Sequence, residues 1–219
     1  MTQGTLDLNG KTLGVDRFAS SNSNTRTITD TVCAGKIKTL DTTAATVFNV
    51  ATSTNLTVTL TNTWSVEIAG NTTNIRTLDG GGKTWGALAF TNTTASGQLN
   101  MVGSNTFKNI SVGTPPQTVK FTAGTTNTIQ DDETGFPSGT VGNLVTVGSI
   151  TAAGHTLSKS GGGTICSDFL SISRSTGSPA TTWYAGANST DGLNNSGWTF
   201  TACPAAATAK FLSLLGVGA

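Results

Sequence analysis

Ionisable chemistry is scarce in this chain. Asp, Glu, Lys and Arg make up only 11% of the 219 residues, and His155 and Tyr184 are each the single residue of their type. With a formal net charge of +1 and basic residues standing singly, the clustered Lys/Arg surface that binds phosphate backbones is missing, which argues against a nucleic-acid partner. Long apolar runs are missing as well. The longest, Phe211 to Ala219, falls far short of the roughly 20 residues a membrane span requires. The opening Met1-Thr2-Gln3-Gly4 has no basic segment followed by an apolar core, so a secretory signal is not expected. Cysteine is sparse: Cys33, Cys166 and Cys203 cannot all pair within one chain, and none has a zinc-site spacing. The expectation is buried thiols in a reducing cytoplasm, with a Cys166–Cys203 bridge as the alternative because both lie in the C-terminal segment.

Threonine, by contrast, fills about one position in five, far above ordinary usage. Together with Val and Ile it suits a pleated, half-buried surface, while the 27 glycines and the asparagines supply tight turns. Apolar residues alternate with polar ones at period two: Leu56, Val58 and Leu60 against Thr57, Thr59 and Thr61; Trp64, Val66 and Ile68 against Ser65 and Glu67. Turn signals separate these runs at Asp79-Gly80-Gly81-Gly82, Gly113-Thr114-Pro115-Pro116, Gly135-Phe136-Pro137 and Gly161-Gly162-Gly163. No helical face is visible.

A longer period overlies the alternation. Lys83-Thr84-Trp85 through Phe90 matches Asn105-Thr106-Phe107 through Val112, and the register extends as Thr63-Trp64, Thr84-Trp85, Thr106-Phe107 and Thr128-Ile129, with a weaker echo at Ser149-Ile150. Steps of 21 to 22 residues correspond to one rung of a parallel β-helix, whose rungs bury their apolar faces only by stacking. The expected fold is therefore all-β: a β-solenoid with rungs of about 21–22 residues, a β-sandwich being the alternative. Residues 1–175 are assigned to the repeats, and 176–219 to a C-terminal cap and apolar tail. Between Asn55 and Ile172, Leu56, Val58, Leu60, Leu88, Phe90, Ile110 and Val112 are expected to face the core.

Candidate chemistry is thin. Asp131-Asp132-Glu133 is the one dense acidic cluster, but neighbours on an extended chain point to opposite faces, and the nearby Gly135 and Pro137 suggest a solvated turn. Facing carboxylates of the kind that cleave polysaccharides are not indicated. Asn188, Asp191, Asn194 and Asn195 form an oxygen-rich loop with a single carboxylate, read as local turn hydrogen bonding and not as a calcium site. Gly80 to Thr84 lacks phosphate-loop spacing. Neither catalysis nor a metal or other cofactor is expected. Aromatic side chains are the candidate contacts for a glycan or protein partner: Trp64, Trp85, Trp183, Tyr184 and Trp198. Trp64, Trp85 and Phe107 recur at rung spacing and are read as core if they face inward, or as a sugar-stacking platform if outward. The tail residues Phe211, Leu212, Leu214, Leu215 and Val217 are either a docking segment or a cover for the last rung.

The stretches Gly4 to Leu13, Gly82-Lys83-Thr84-Trp85, Asn105 to Ile110 and Trp183 to Phe200 give the chain a resemblance to repetitive β-solenoid proteins of bacteriophage virions and related bacterial surface proteins. The resemblance implies a non-enzymatic virion component, tail-fibre-like or decorating the capsid, assembled in the host cytoplasm. It also implies virion proteins and host-surface glycans as partners, and a homo-oligomer, with a trimer expected. A secreted bacterial adhesin at the cell surface and a polysaccharide-cleaving β-helix are the alternatives.

Overall fold

The computed structural model describes residues 1–59 and 64–204, and among these the chain forms strands and turns without a helix. Most circuits of the chain lay one short strand on each of three walls. On the first wall Gly4–Asp7, Arg26–Thr29 and Leu56–Val58 form one sheet, and Thr84–Trp85, Thr106–Phe107, Thr126–Ile129, His155–Lys159 and Ser175–Ser178 form another. The second wall carries Thr12–Val15, Lys36–Thr39, Ser65–Ile68, Ala87–Phe90 and Ile110–Val112, then Ile165–Cys166, Trp183–Tyr184 and Trp198–Thr199. The third is a single eight-stranded sheet running from Phe18–Ala19 to Thr190–Asp191. Every pairing between these strands is parallel. The protein is therefore a parallel β-helix, and the antiparallel sandwich is set aside.

The step of 22 residues is real where it was read. Thr84 pairs with Thr106 and Thr106 with Thr128, with Trp85, Phe107 and Ile129 beside them. Two details of the register are corrected. After Thr128-Ile129 the next rung offers Ser158-Lys159, not Ser149-Ile150, because the chain first makes an excursion that includes the small antiparallel bridge Thr140–Asn143. Trp64 stands just before the strand Ser65–Ile68, whose pairing sets Ser65 against Ala87, so Trp64 lies one residue out of step with Trp85. A close approach results: a Cβ at Gly86 would sit 1.8 Å from the Trp64 carbonyl oxygen, and glycine is required there. Thr63 and Leu60 lie outside the described residues.

Inside the walls the apolar positions stack rung on rung. Leu56, Leu88, Phe90 and Ile110 are buried as expected, whereas Val58 and Val112 are half-buried. Two aromatic groups anchor the interior. Phe18 stacks on Phe48, which meets Trp85 edge-on, and Trp85 meets Trp64 at 5.8 Å. Further along, Trp183 packs against Phe136 and Trp198 at 5.6 and 5.0 Å. Truncating a buried Trp of this kind typically costs about 3–5 kcal/mol.

The corners are polar, and most of their buried groups are hydrogen-bonded, the Nε and Nη2 of Arg76 being exceptions. Arg26 is fully buried, and its guanidinium donates to the carbonyl oxygens of Ser20, Asn22, Asn24, Thr52 and Thr54. Asn105 and Asn127 stack in consecutive rungs, the Asn127 Oδ1 accepting from the Asn105 backbone N–H at 3.1 Å. Gln117 donates to the carbonyls of Asn92, Thr94 and Thr114. Such ladders satisfy the backbone where strands end and no sheet partner is present. Arg76 is also buried, donating to Ala69 O and lying 4.8 Å over the Phe90 ring, and burial pulls its pKa down to about 10.

The C-terminal segment continues the stack. Trp183 pairs with Ile165 on one side and Trp198 on the other, and Thr190–Asp191 adds the last strand of the third wall. The boundary drawn between 175 and 176 falls inside the strand Ser175–Ser178.

Candidate functional site

The second wall is interrupted between Ile110–Val112 and Ile165–Cys166, and the break forms a groove. There the chain from 130 to 138 replaces a regular strand: the Ile110 N–H donates to Gly135 O, and Glu133 alone bridges to Ile165. Glu133 adopts a left-handed φ of 44°, the local cost of turning the chain out of the sheet. The resulting groove, of about 270 Å³, is lined by Ser111, Val112, Thr134, Phe136, Ser138 and Cys166, among others. Its polar groups are hydroxyls and its floor is apolar. Tyr184 is in register with Cys166, half-buried beside this groove.

The acidic cluster borders the break but does not form a catalytic pair. Asp131 accepts from the Asn109 side chain at 2.8 Å, and Asp132 pairs with Lys159 at 2.9 Å. The Lys159 ammonium is buried and also donates to the carbonyls of Gln130 and Ser160. All carboxylates except those of Asp16 and Glu133 are held by a turn N–H, a side chain or an ion pair. Asp191 in the oxygen-rich loop accepts from the Leu193 N–H and the Asn195 amide, the local turn bonding its sequence indicated. Burial pushes the Glu67 carboxyl up, but hydrogen bonds from Lys36, Lys38 and Thr91 outweigh it and hold the pKa below its ordinary value. Glu67 is buried beneath those partners, where simple alternation had placed it among the outward residues.

The aromatic candidates separate into two classes. Trp64, Trp85 and Trp183 are fully buried, so their faces are core and cannot serve as a platform; their indole N–H groups donate inward to Thr59 O, Gly80 O and Ser178 O. Tyr184 and Trp198 remain partly accessible, Trp198 donating to Ser175 Oγ at 3.1 Å. The tail candidates Phe211, Leu212, Leu214, Leu215 and Val217 lie outside the described residues.

Cysteine chemistry differs from the expectation. Cys166 and Cys203 are bridged, with Cα atoms 5.6 Å apart, and Cys33 is exposed and free. The bridge was the alternative because nothing in the sequence brings two residues 37 apart together until the second wall is built. Sequence reasoning also missed the Ser149–His155 pair. The Ser149 hydroxyl lies 2.8 Å from His155 Nδ1, the ring stacks on Phe121, and Nε2 is buried with no partner among the described residues. Burial lowers the His155 pKa to about 4. With no carboxylate to orient the ring and no access for a substrate, this pair is a neutral core contact and not a nucleophile–base couple.

At the N-terminal end a second concavity of about 480 Å³ opens between Gly4–Asp7, Thr12–Val15 and Phe18–Ala19, with Met1, Leu6, Leu13, Val15 and Phe18 on its surface. Among the described residues these three strands are the outermost members of their sheets, so each presents a parallel edge with no further strand on it, Ala19 O of the third accepting only from the Met1 amino group. Comparison with protein-family models, curated proteins and solved structures finds no match.

Proposed function

We propose that the chain is a non-enzymatic structural component of a bacteriophage virion, a rigid β-solenoid mounted on a larger particle through its first rung. The observation that carries this reading is the outer face of the first described rung, where three parallel strand edges point the same way around an apolar trough. Unpaired edges and an uncovered rung invite association. Hydrogen bonding on all three sides at once, with the trough filled, calls for the end rung of another β-solenoid, and that is the partner chemistry assigned to the particle. The engagement of most carboxylates in turns and ion pairs supports a scaffold role, and the hydroxyl-lined groove beside Tyr184 offers a neutral contact for a host-surface glycan. The trimer rests on the resemblance to fibrous virion proteins.

The test is incorporation. Leu13→Asp and Val15→Asp place charge in the trough at partly buried positions. The expected result is that the wild-type chain is found in purified particles by mass spectrometry, while the variants fold with near-normal melting temperature but fail to incorporate. Incorporation unaffected by both variants, or absence of the wild-type chain from particles, overturns the reading. The Cys166–Cys203 bridge favours a second reading, an adhesin held outside the reducing cytoplasm; recovery of the chain from the bacterial surface in uninfected cells would select it.

A further inference from the structure

We infer that the outer face of the first wall is an ice-binding surface. Within the strands of this wall, every outward-pointing residue except Asp7 is Thr or Ser: Thr5, Thr27, Thr29 and Thr57 in the first sheet, and the hydroxyls of two columns in the second. One column is Thr84, Thr106, Thr128, Ser158 and Ser178, each paired directly with the next. The other, two residues earlier on the strands, is Thr126, Thr156 and Thr176. Ser104 extends it at one end, its Oγ accepting from the Thr126 N–H, and Ser196 at the other, bridged to Thr176.

The register makes this a lattice in two dimensions. Neighbouring strands stand about 4.8 Å apart and alternate residues along a strand about 6.6 Å apart, repeats close to those of water oxygens on the faces of hexagonal ice. The array lies on stacked parallel rungs that hold the columns in line even across the excursion between Thr128 and Ser158. The hydroxyls of Thr84, Thr106, Thr128, Thr156, Ser158 and Ser178 make no hydrogen bond to any described residue, so both donor and acceptor capacity is free for ordered water.

Strand propensity alone does not account for the pattern. Threonine favours any pleated face, yet outward positions of the second wall carry Lys36, Lys38, Ala87, Ala89 and Tyr184, and those of the third carry Asp79, Gln98, Asn100 and Lys120. The third wall does carry one hydroxyl column, Thr118, Thr146, Ser171 and Thr190, but Gln98, Asn100 and Lys120 stand beside it; two adjacent hydroxyl columns with no charged or amide side chain between them occur on the first wall alone among the described residues. The first wall also lacks what a sugar-binding face uses: an aromatic ring for stacking and side chains that donate or accept in pairs.

The test uses the full chain in ice-affinity partitioning and thermal-hysteresis measurements. The wild type is expected to concentrate in a slowly growing ice front. Thr128→Lys and Thr156→Lys, both outward, are expected to lose that enrichment, as is Thr128→Val, which keeps the shape and removes the hydroxyl. Ala87→Lys, outward on the second wall and away from any hydroxyl column, is expected to behave as wild type. Circular dichroism and melting temperature verify that each variant is folded. Exclusion of the wild type from ice to the same extent as an inert protein overturns the inference. So does retention on an immobilised polysaccharide that the first-wall variants abolish while ice partitioning is absent, an outcome that makes the wall a glycan surface.

Discussion

The first and second walls are built from the same rungs, with the same parallel pairing, and yet their outer surfaces are opposites. Apart from Asp7, the first carries small hydroxyl side chains, in register within each of its two sheets. The second is charged at one end, where Lys36 and Lys38 close over Glu67, broken in the middle, and tied by a disulfide towards the other end. Since the apolar core behind both is of one kind, the inward positions decide that the chain forms a solenoid, and the outward positions are free to differ. Outer-surface differences on a common scaffold therefore carry the functional information.

Perturbations that strain this contrast should scale accordingly. The largest effect is expected on the second wall: Glu67→Gln leaves Lys36 and Lys38 close together without a carboxylate. Both ammonium groups are partly solvated, with side-chain exposures of 36%, which moderates the loss to about 1–3 kcal/mol. Urea unfolding with an unchanged m-value would measure it, and a difference below a few tenths of a kcal/mol would mean the cluster contributes nothing.

An intermediate effect is expected from pH, acting from behind the first wall. His155 is held neutral, with its pKa lowered by burial to about 4 from 6.5. Between those values the unfolded chain binds more protons than the folded one, so this stabilisation is fully present above pH 6.5 and is lost as pH falls towards 4. Roughly 2 kcal/mol should disappear between pH 7 and pH 5. His155→Phe should flatten that slope, and a wild-type melting temperature constant over the same interval would refute the assignment.

The smallest effect is expected on the first wall itself. Thr106→Ala removes an outward hydroxyl that bonds to no described residue, and stability should stay within about 0.5 kcal/mol of wild type. A loss above about 1 kcal/mol would mean that the array stabilises the fold, and the separation between inward and outward roles would fail.

Much of the architecture was legible because alternation and stacking impose two periods on the sequence at once. Thr84-Trp85 and Thr106-Phe107 reported the rung step since no insertion separates them. The register was lost after Ile129 because loop length on a solenoid surface is weakly constrained, and the local pattern at Ser149-Ile150 resembles a rung start. Trp64 and Trp85 were read as core or as contacts, and Trp183 as a contact in a capping segment, because composition does not reveal which side of a strand faces in, whereas the stack buries all three. Glu67 looked outward by alternation, and only Lys36 and Lys38, one rung away, explain its burial. The groove was illegible for a similar reason: it exists because a strand is absent, and the sequence from 130 to 138 marks a turn without showing what the turn leaves uncovered.

Arg26 has a consequence for how this chain can vary. Its guanidinium gathers carbonyl oxygens from two loops in consecutive rungs, at Ser20, Asn22 and Asn24 and again at Thr52 and Thr54. It thereby acts as a gauge: inserting or deleting one residue in either loop would move carbonyls out of reach and strand a buried cation. Those two loops can change length only together with the arginine, while the excursion around Thr140 and Asn143 has no such gauge among the described residues and is free to lengthen. Length variation among natural forms of this protein should therefore concentrate in that excursion, and chains that have lost the arginine should have lost the lengths of both loops as well.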